Sequence, residues 1–162
     1  MENDFQNQLE AAIERGQQKS ERESRSAKEQ SLSSEEIRRR HNDFRLDLSD
    51  HIEQGLKQLA QHFPGFKYET IYGTRGWGGA LSRDDIDRGP DGRTGTFFSR
   101  IEITVKPLNE FNLVNIAGKG TIRDKELLTW NHYDNISQAD QAVFQKTIDR
   151  WILEYAELFA AR

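Results

Sequence analysis

The 162-residue chain has no cysteine, three prolines and a single methionine, its first residue. Without cysteine it forms no disulfide, offers no thiolate to a metal and carries no cysteine nucleophile, a composition expected of a cytoplasmic protein. No run approaches the ~20 apolar residues of a membrane span, and the opening MENDFQNQLE lacks the basic-then-apolar order of a secretion signal. Asn135-Ile136-Ser137 fits the glycosylation acceptor pattern, to which no consequence is attached without such a signal. An excess of one charge is missing too. The net charge is −4, with 10 Lys/Arg against 13 Asp/Glu in residues 1–65 and 13 against 14 in residues 66–162. Neither half has the basic surplus that nonspecific nucleic-acid binding needs, so neither nucleic acid nor a membrane is expected as a partner.

Apolar residues make up 35% of the chain and charged ones 31%, which is low in apolar content for a fully globular protein. The deficit is local. Between Glu14 and Ser31 the one apolar residue is Ala27, and before that stretch only Phe5, Leu9, Ala12 and Ile13 form a stripe at helical spacing. Residues 1–32 therefore read as a polar N-terminal arm, helical or disordered. The Glu21/Arg25 pair at i,i+4 adds ~0.2–0.5 kcal/mol, too little to hold a lone helix together. The stripe is expected to meet an unknown protein partner or a second copy of the chain.

From Ser33 onward the apolar spacing is that of a packed domain, 33–162. Ser33 and Glu36 make an S-x-x-E capping pattern for a helix to about His62, with Ile37, Phe44, Leu48, Ile52, Leu56, Leu59 and Phe63 on one face and Pro64-Gly65 as its stop. Arg38, Arg39 and Arg40 fan around that helix as a solvated surface. Four strand-like runs follow: 66–72, 96–106, 111–122 and about 126–133. The second is the clearest, with Phe97, Ile101, Ile103 and Val105 on one face against Arg100, Glu102, Thr104 and Lys106 on the other. The third carries Gly118 and Gly120 where a helix could approach closely, and a turn at Arg123, Asp124 and Lys125 joins the last two runs into a hairpin. A final helix over Ala139–Ala160, capped by Ser137, shows Phe144, Ile148, Trp151, Ile152, Tyr155 and Phe159 on one stripe. The expected fold is α+β, a four-stranded antiparallel sheet with two helices on one face in the order α-β-β-β-β-α.

Residues 74–95, TRGWGGALSRDDIDRGPDGRTG, show no hydrophobic period and are expected to be a long loop. Six glycines, four arginines, four aspartates and one tryptophan make it an adaptable polar surface with one aromatic anchor. Trp77 would fill a partner's pocket, or else fold back on the core. Arg75, Arg83 and Arg93 could hold an anion, though Asp84, Asp85 and Asp87 lie close enough to neutralise them. A calcium loop counted from Asp87 fails at its twelfth position, Phe98, and Gly118-Lys119-Gly120-Thr121 fails as a phosphate loop because Leu113 stands at the first glycine. No metal site or cofactor is expected.

The histidines His41, His51, His62 and His132 make no metal pair and no nucleophile–base arrangement, so no catalytic residue is assigned. The leading expectation is a non-enzymatic protein-interaction or regulatory module using the Trp77 loop and the arm. The alternative is a protein or enzyme for a small anionic ligand, with Arg75, Trp77, Arg83 and Arg93 joined by Arg100, Glu102 and His132 on the polar sheet face.

Overall fold

The computed structural model describes the backbone of residues 2–162 and the side chains of all of these except 2, 26–33 and 87. Contacts divide the chain into two units, Met1–Arg39 and Arg40–Arg162. Helix α1 (Glu2–His62) contributes to both. It passes through position 33, so the expected helix start there is not used as a start; the Ser33 side chain itself lies outside the described residues.

In the first unit the segment expected to be an arm is helical, and every residue from 3 to 25 is exposed. Its helicity rests on Gln-, Glu-, Lys- and Arg-rich composition rather than on packing.

The second unit holds five strands where four were expected: β1 (Lys67–Ile71), β2 (Trp77–Arg88), β3 (Thr94–Val105), β4 (Leu113–Ile122) and β5 (Lys125–Asn135), followed by α2 (Gln141–Ala160). They form one antiparallel meander in the order β1-β2-β3-β4-β5. The extra strand comes from the expected loop. Residues 77–88 pair with 94–105 throughout, so segment 74–95 is the end of one turn, a long strand, a tight turn and the start of the next strand. At the tip, Gly92 N donates to Gly89 O at 3.0 Å, Asp91 Oδ1 accepts from Arg93 N at 3.1 Å, and Gly92 takes φ 78°. Ladder hydrogen bonds supply the ordering that a 22-residue loop would have had to find elsewhere.

The pairing fixes which side chains share a face. Leu81, Ile101, Gly120 and Leu128 form one cross-strand row, Gly79, Ile103, Gly118 and Trp130 the next, and Trp77, Val105, Ile116 and His132 a third. Both helices cover this face. Tyr155 of α2 lies over Gly120, where an added Cβ would come within 2.9 Å of its ring, and its hydroxyl donates to Thr121 O at 2.9 Å. Leu48, Ile52 and Leu56 of α1 and Phe144, Ile148 and Tyr155 of α2 complete the core. Gly120 thus meets the close helix approach expected of it, whereas Gly118 lies beneath the Trp130 ring of the neighbouring strand. The cap of α2 is Asp140, whose carboxylate accepts from Ala142 N at 2.9 Å. Ser137, the expected cap, instead donates through N and Oγ to Asn135 Oδ1 in the preceding turn. The β4–β5 hairpin turns on Arg123 and Asp124, both at positive φ (50° and 69°), the geometry of a two-residue type I′ connection.

His41 is buried in the second unit, 3.2 Å from Lys106 O. A carbonyl only accepts, so Nε2 carries the proton. Burial pushes the imidazole pKa below the usual 6.5, aided by the Arg45 charge and opposed by that hydrogen bond. Folding therefore favours the neutral ring. Its stabilisation is complete above the unfolded-state pKa and is lost as pH falls through it toward the lowered folded value. Stability is expected to decline on acidification below about pH 6.5, with a shallower decline for His41→Gln in urea titrations at stepped pH. An identical pH dependence in the two proteins would show that another group is responsible.

Candidate functional site

The second sheet face carries the rows Ser82, Arg100 and Thr121, then Ala80, Glu102, Lys119 and Thr129, then Gly78, Thr104, Ala117 and Asn131. Small residues at the middle of β2 and β4 let long charged side chains lie across the sheet. They form a chain of alternating sign: Arg75 to Glu102 at 3.7 Å, Glu102 to Arg100 at 3.4 Å, and Arg100 to Glu69 at 3.7 Å. Thus Arg75, Arg100 and Glu102, all singled out by the sequence, do come together. Beside them is a hollow of about 240 Å³, floored by Ala117 and bordered by Glu102, Lys106, Lys119, Thr129 and Asn131. Two ammonium groups, one carboxylate and an amide equip it for charge pairing and hydrogen bonding. Glu102 is held by two guanidinium groups, the arrangement of a structural charge ladder.

The remaining candidates are placed elsewhere. His132 follows Trp77, Val105 and Ile116 onto the helix-covered face, where its ring meets Phe144 edge-on with centroids 4.8 Å apart. It does not join Arg100 and Glu102, because Ile116, its β4 partner, points to the core and the pairing gives both residues the same side. Trp77 opens β2 on that same face, half-buried, with the Arg45 guanidinium 4.6 Å from its ring centre. It is not the tip of a projecting loop. Arg83 is part of the fold: it pairs with Asp85 at 2.9 Å, donates to Pro64 O at 3.1 Å, and lies over the Phe66 and Phe159 rings at 5.2 and 4.8 Å. Arg93 stands 89% exposed at the hairpin tip, 3.7 Å from Asp91. Arg75, Arg83 and Arg93 therefore occupy the β1–β2 turn, the helix side of β2 and the β2–β3 turn, and do not converge on one anion.

Two features lay outside the sequence expectations. Beyond Ser82, β2 has no β1 partner, and before Arg100, β3 has no β4 partner, so 83–88 and 94–99 form a two-stranded ribbon. Asp124 secures one side of it, accepting from Phe98 N through Oδ1 and donating its own N–H to Phe98 O, both at 2.8 Å. Gly89-Pro90-Asp91-Gly92 was the legible signal for this ribbon, since a Pro-Asp-Gly sequence marks a tight turn between two strands. The second feature is an apolar groove of about 390 Å³ within the second unit, between Gly55, Leu59 and His62 of α1 and Asp149, Ile152 and Leu153 of α2.

In the first unit the apolar stripe is open, with Phe5 67%, Leu9 45% and Ile13 54% exposed. Among the described residues no helix is long and apolar enough to cross a membrane. Comparison with protein-family models, with curated proteins and with solved structures gives no match.

Proposed function

We propose that the chain is a non-enzymatic protein-interaction module whose contact is the N-terminal segment of α1. The observation that carries this reading is the open stripe of Phe5, Leu9 and Ile13 on a helix all of whose residues from 3 to 25 are exposed. Three large side chains one turn apart give anchors on one side of the segment, the pattern of an amphipathic helix laid in an apolar groove. Covering each removes apolar surface from water and contributes roughly 1.5–3 kcal/mol. Trp77 is half-buried under Arg45, so the reading is built on the exposed helical segment rather than on Trp77.

The test is a variant of the full chain with Phe5→Ser, Leu9→Ser and Ile13→Ser. Proteins that co-purify in near-equal amount with the parent should be lost by about tenfold or more, since each anchor contributes on the order of 1–2 kcal/mol to recognition. The second unit should melt within about 2 °C of the parent, because exposed substitutions change stability by at most ~0.5 kcal/mol. Retention of the same proteins by the variant, or no co-purifying protein at all, would refute the reading.

A further inference from the structure

We infer that the surface receiving this segment is an apolar groove on a different protein, bordered by lysine and arginine. The inference rests on the reading above and identifies the partner's chemistry.

Length argues first. The stripe ends at Ile13, Gly16 follows, and no apolar residue appears again until Ala27. A self-paired coiled coil needs apolar positions sustained over about three or four heptads. Side chains of this size bury up to about 200 Å² each. Two helices side by side would cover about half of that, on the order of 600 Å² over both copies, short of the ~1,000 Å² of a stable interface. A groove encloses the helix on both flanks and buries the stripe together with its neighbours.

Charge argues second. Residues 2–14 carry Glu2, Asp4, Glu10 and Glu14 and no lysine, arginine or histidine. Two such segments repel each other, and an anionic membrane surface repels them too. A basic rim attracts them and sets their orientation. The groove between the helices of the second unit is lined by no lysine or arginine among the described residues, which makes it a poorer receiver for a second copy's segment.

The experiment places the photoreactive residue p-benzoylphenylalanine at position 9 of the full chain and irradiates the cells that produce it. A supporting result is an adduct to another protein, the linked residue lying in an apolar groove flanked by Lys or Arg. Glu10→Lys with Glu14→Lys should then cut the adduct by about tenfold, and raised salt should weaken it in parallel. An adduct between two copies of the chain, an adduct to lipid, a groove bordered by Asp or Glu, or indifference to both charge reversal and salt would overturn the inference. In the last two cases the interaction reading itself survives, because the triple serine variant still loses the partner. Absence of any adduct, together with no loss in the triple serine variant, would remove both.

Discussion

Gly78→Ala should destabilise the second unit by about 3 kcal/mol, more than a surface glycine substitution in a strand would. A Cβ at Gly78 would run into the Ile103 carbonyl oxygen and the Thr104 Cα of β3. Both are backbone atoms in the middle of the sheet, so no side chain can turn aside to make room. Relief requires β2 to move away from β3 in the row Gly78, Thr104 and Ala117, weakening pairs on either side. For a unit of about 120 residues the loss corresponds to roughly 10 °C in melting temperature. Gly73→Ala gives the contrast: nothing lies within 4 Å of its added Cβ, so its cost is limited to the strain of φ 101° in a turn. Thermal and urea denaturation of both variants check this. A Gly78→Ala protein within about 1 kcal/mol of the parent would mean that β2 and β3 are not packed as described.

The glycine at 78 also explains why this part of the fold was hard to read. Gly76-Trp77-Gly78-Gly79 has the composition of a loop, yet the glycines serve close packing: Gly78 against the β3 backbone and Gly79 beneath the Tyr68 ring. Farther along, Ser82 to Arg88 lacks apolar alternation because only the base of the ribbon of 83–88 and 94–99 is covered, where Arg83 lies over Phe159 of α2, while Asp84, Ile86, Arg88 and residues 94–96 are exposed. A period of two appears in sequence only where one face is buried. Where it was, in β3, the alternation of Ile101, Ile103 and Val105 against Arg100 and Glu102 was legible and matches the burial, whereas Thr104, expected on the wet side, is buried. The helix stripes were legible for the same reason, since Leu48, Ile52, Leu56, Phe144, Ile148 and Tyr155 all reach the core.

The candidate site was legible in parts. Strand position alone put Arg100 and Glu102 on one face, and the structure adds Arg75 and Glu69 to them. The side on which His132 lies depends on β4–β5 pairing, and that strand carries an irregularity: Thr121 faces Glu126 while Gly120 faces Leu128, leaving Leu127 as an extra residue. Counting along the chain cannot reveal such a slip in advance. Arg83 was read as an anion ligand or as a cation neutralised by the aspartates beside it, and its pair with Asp85 follows the second; that Phe66 and Phe159 also flank its guanidinium depends on residues distant in sequence. The open stripe of Phe5, Leu9 and Ile13 depends on nothing distant, and so it was visible from the sequence as an apolar stripe on one side of a helix.

Trp151→Ala is expected to cost the second unit ~3–5 kcal/mol, the range for emptying a large aromatic site in a core. Trp151 is 4% exposed and stacks on Trp130 with ring centres 5.5 Å apart and planes 4° from parallel. The pair joins α2 to β5, and Trp130 is further held by its Nε1–H, which donates to Glu154 Oε2 at 3.1 Å. Truncation at 151 removes the stacked ring and opens a void between helix and sheet. Trp130 keeps its hydrogen bond to Glu154 but loses the aromatic contact, itself worth about 0.5–1.5 kcal/mol beyond buried area. Trp151→Phe should keep most of the filling and lose only about 1–2 kcal/mol. Tryptophan fluorescence followed through urea unfolding reads both quantities: the midpoint falls in the order parent, Phe, Ala, and folded Trp130 emission moves to the red in the alanine protein. Equal midpoints for the alanine and phenylalanine variants would contradict a filled ring stack, since the two differ in the volume left empty.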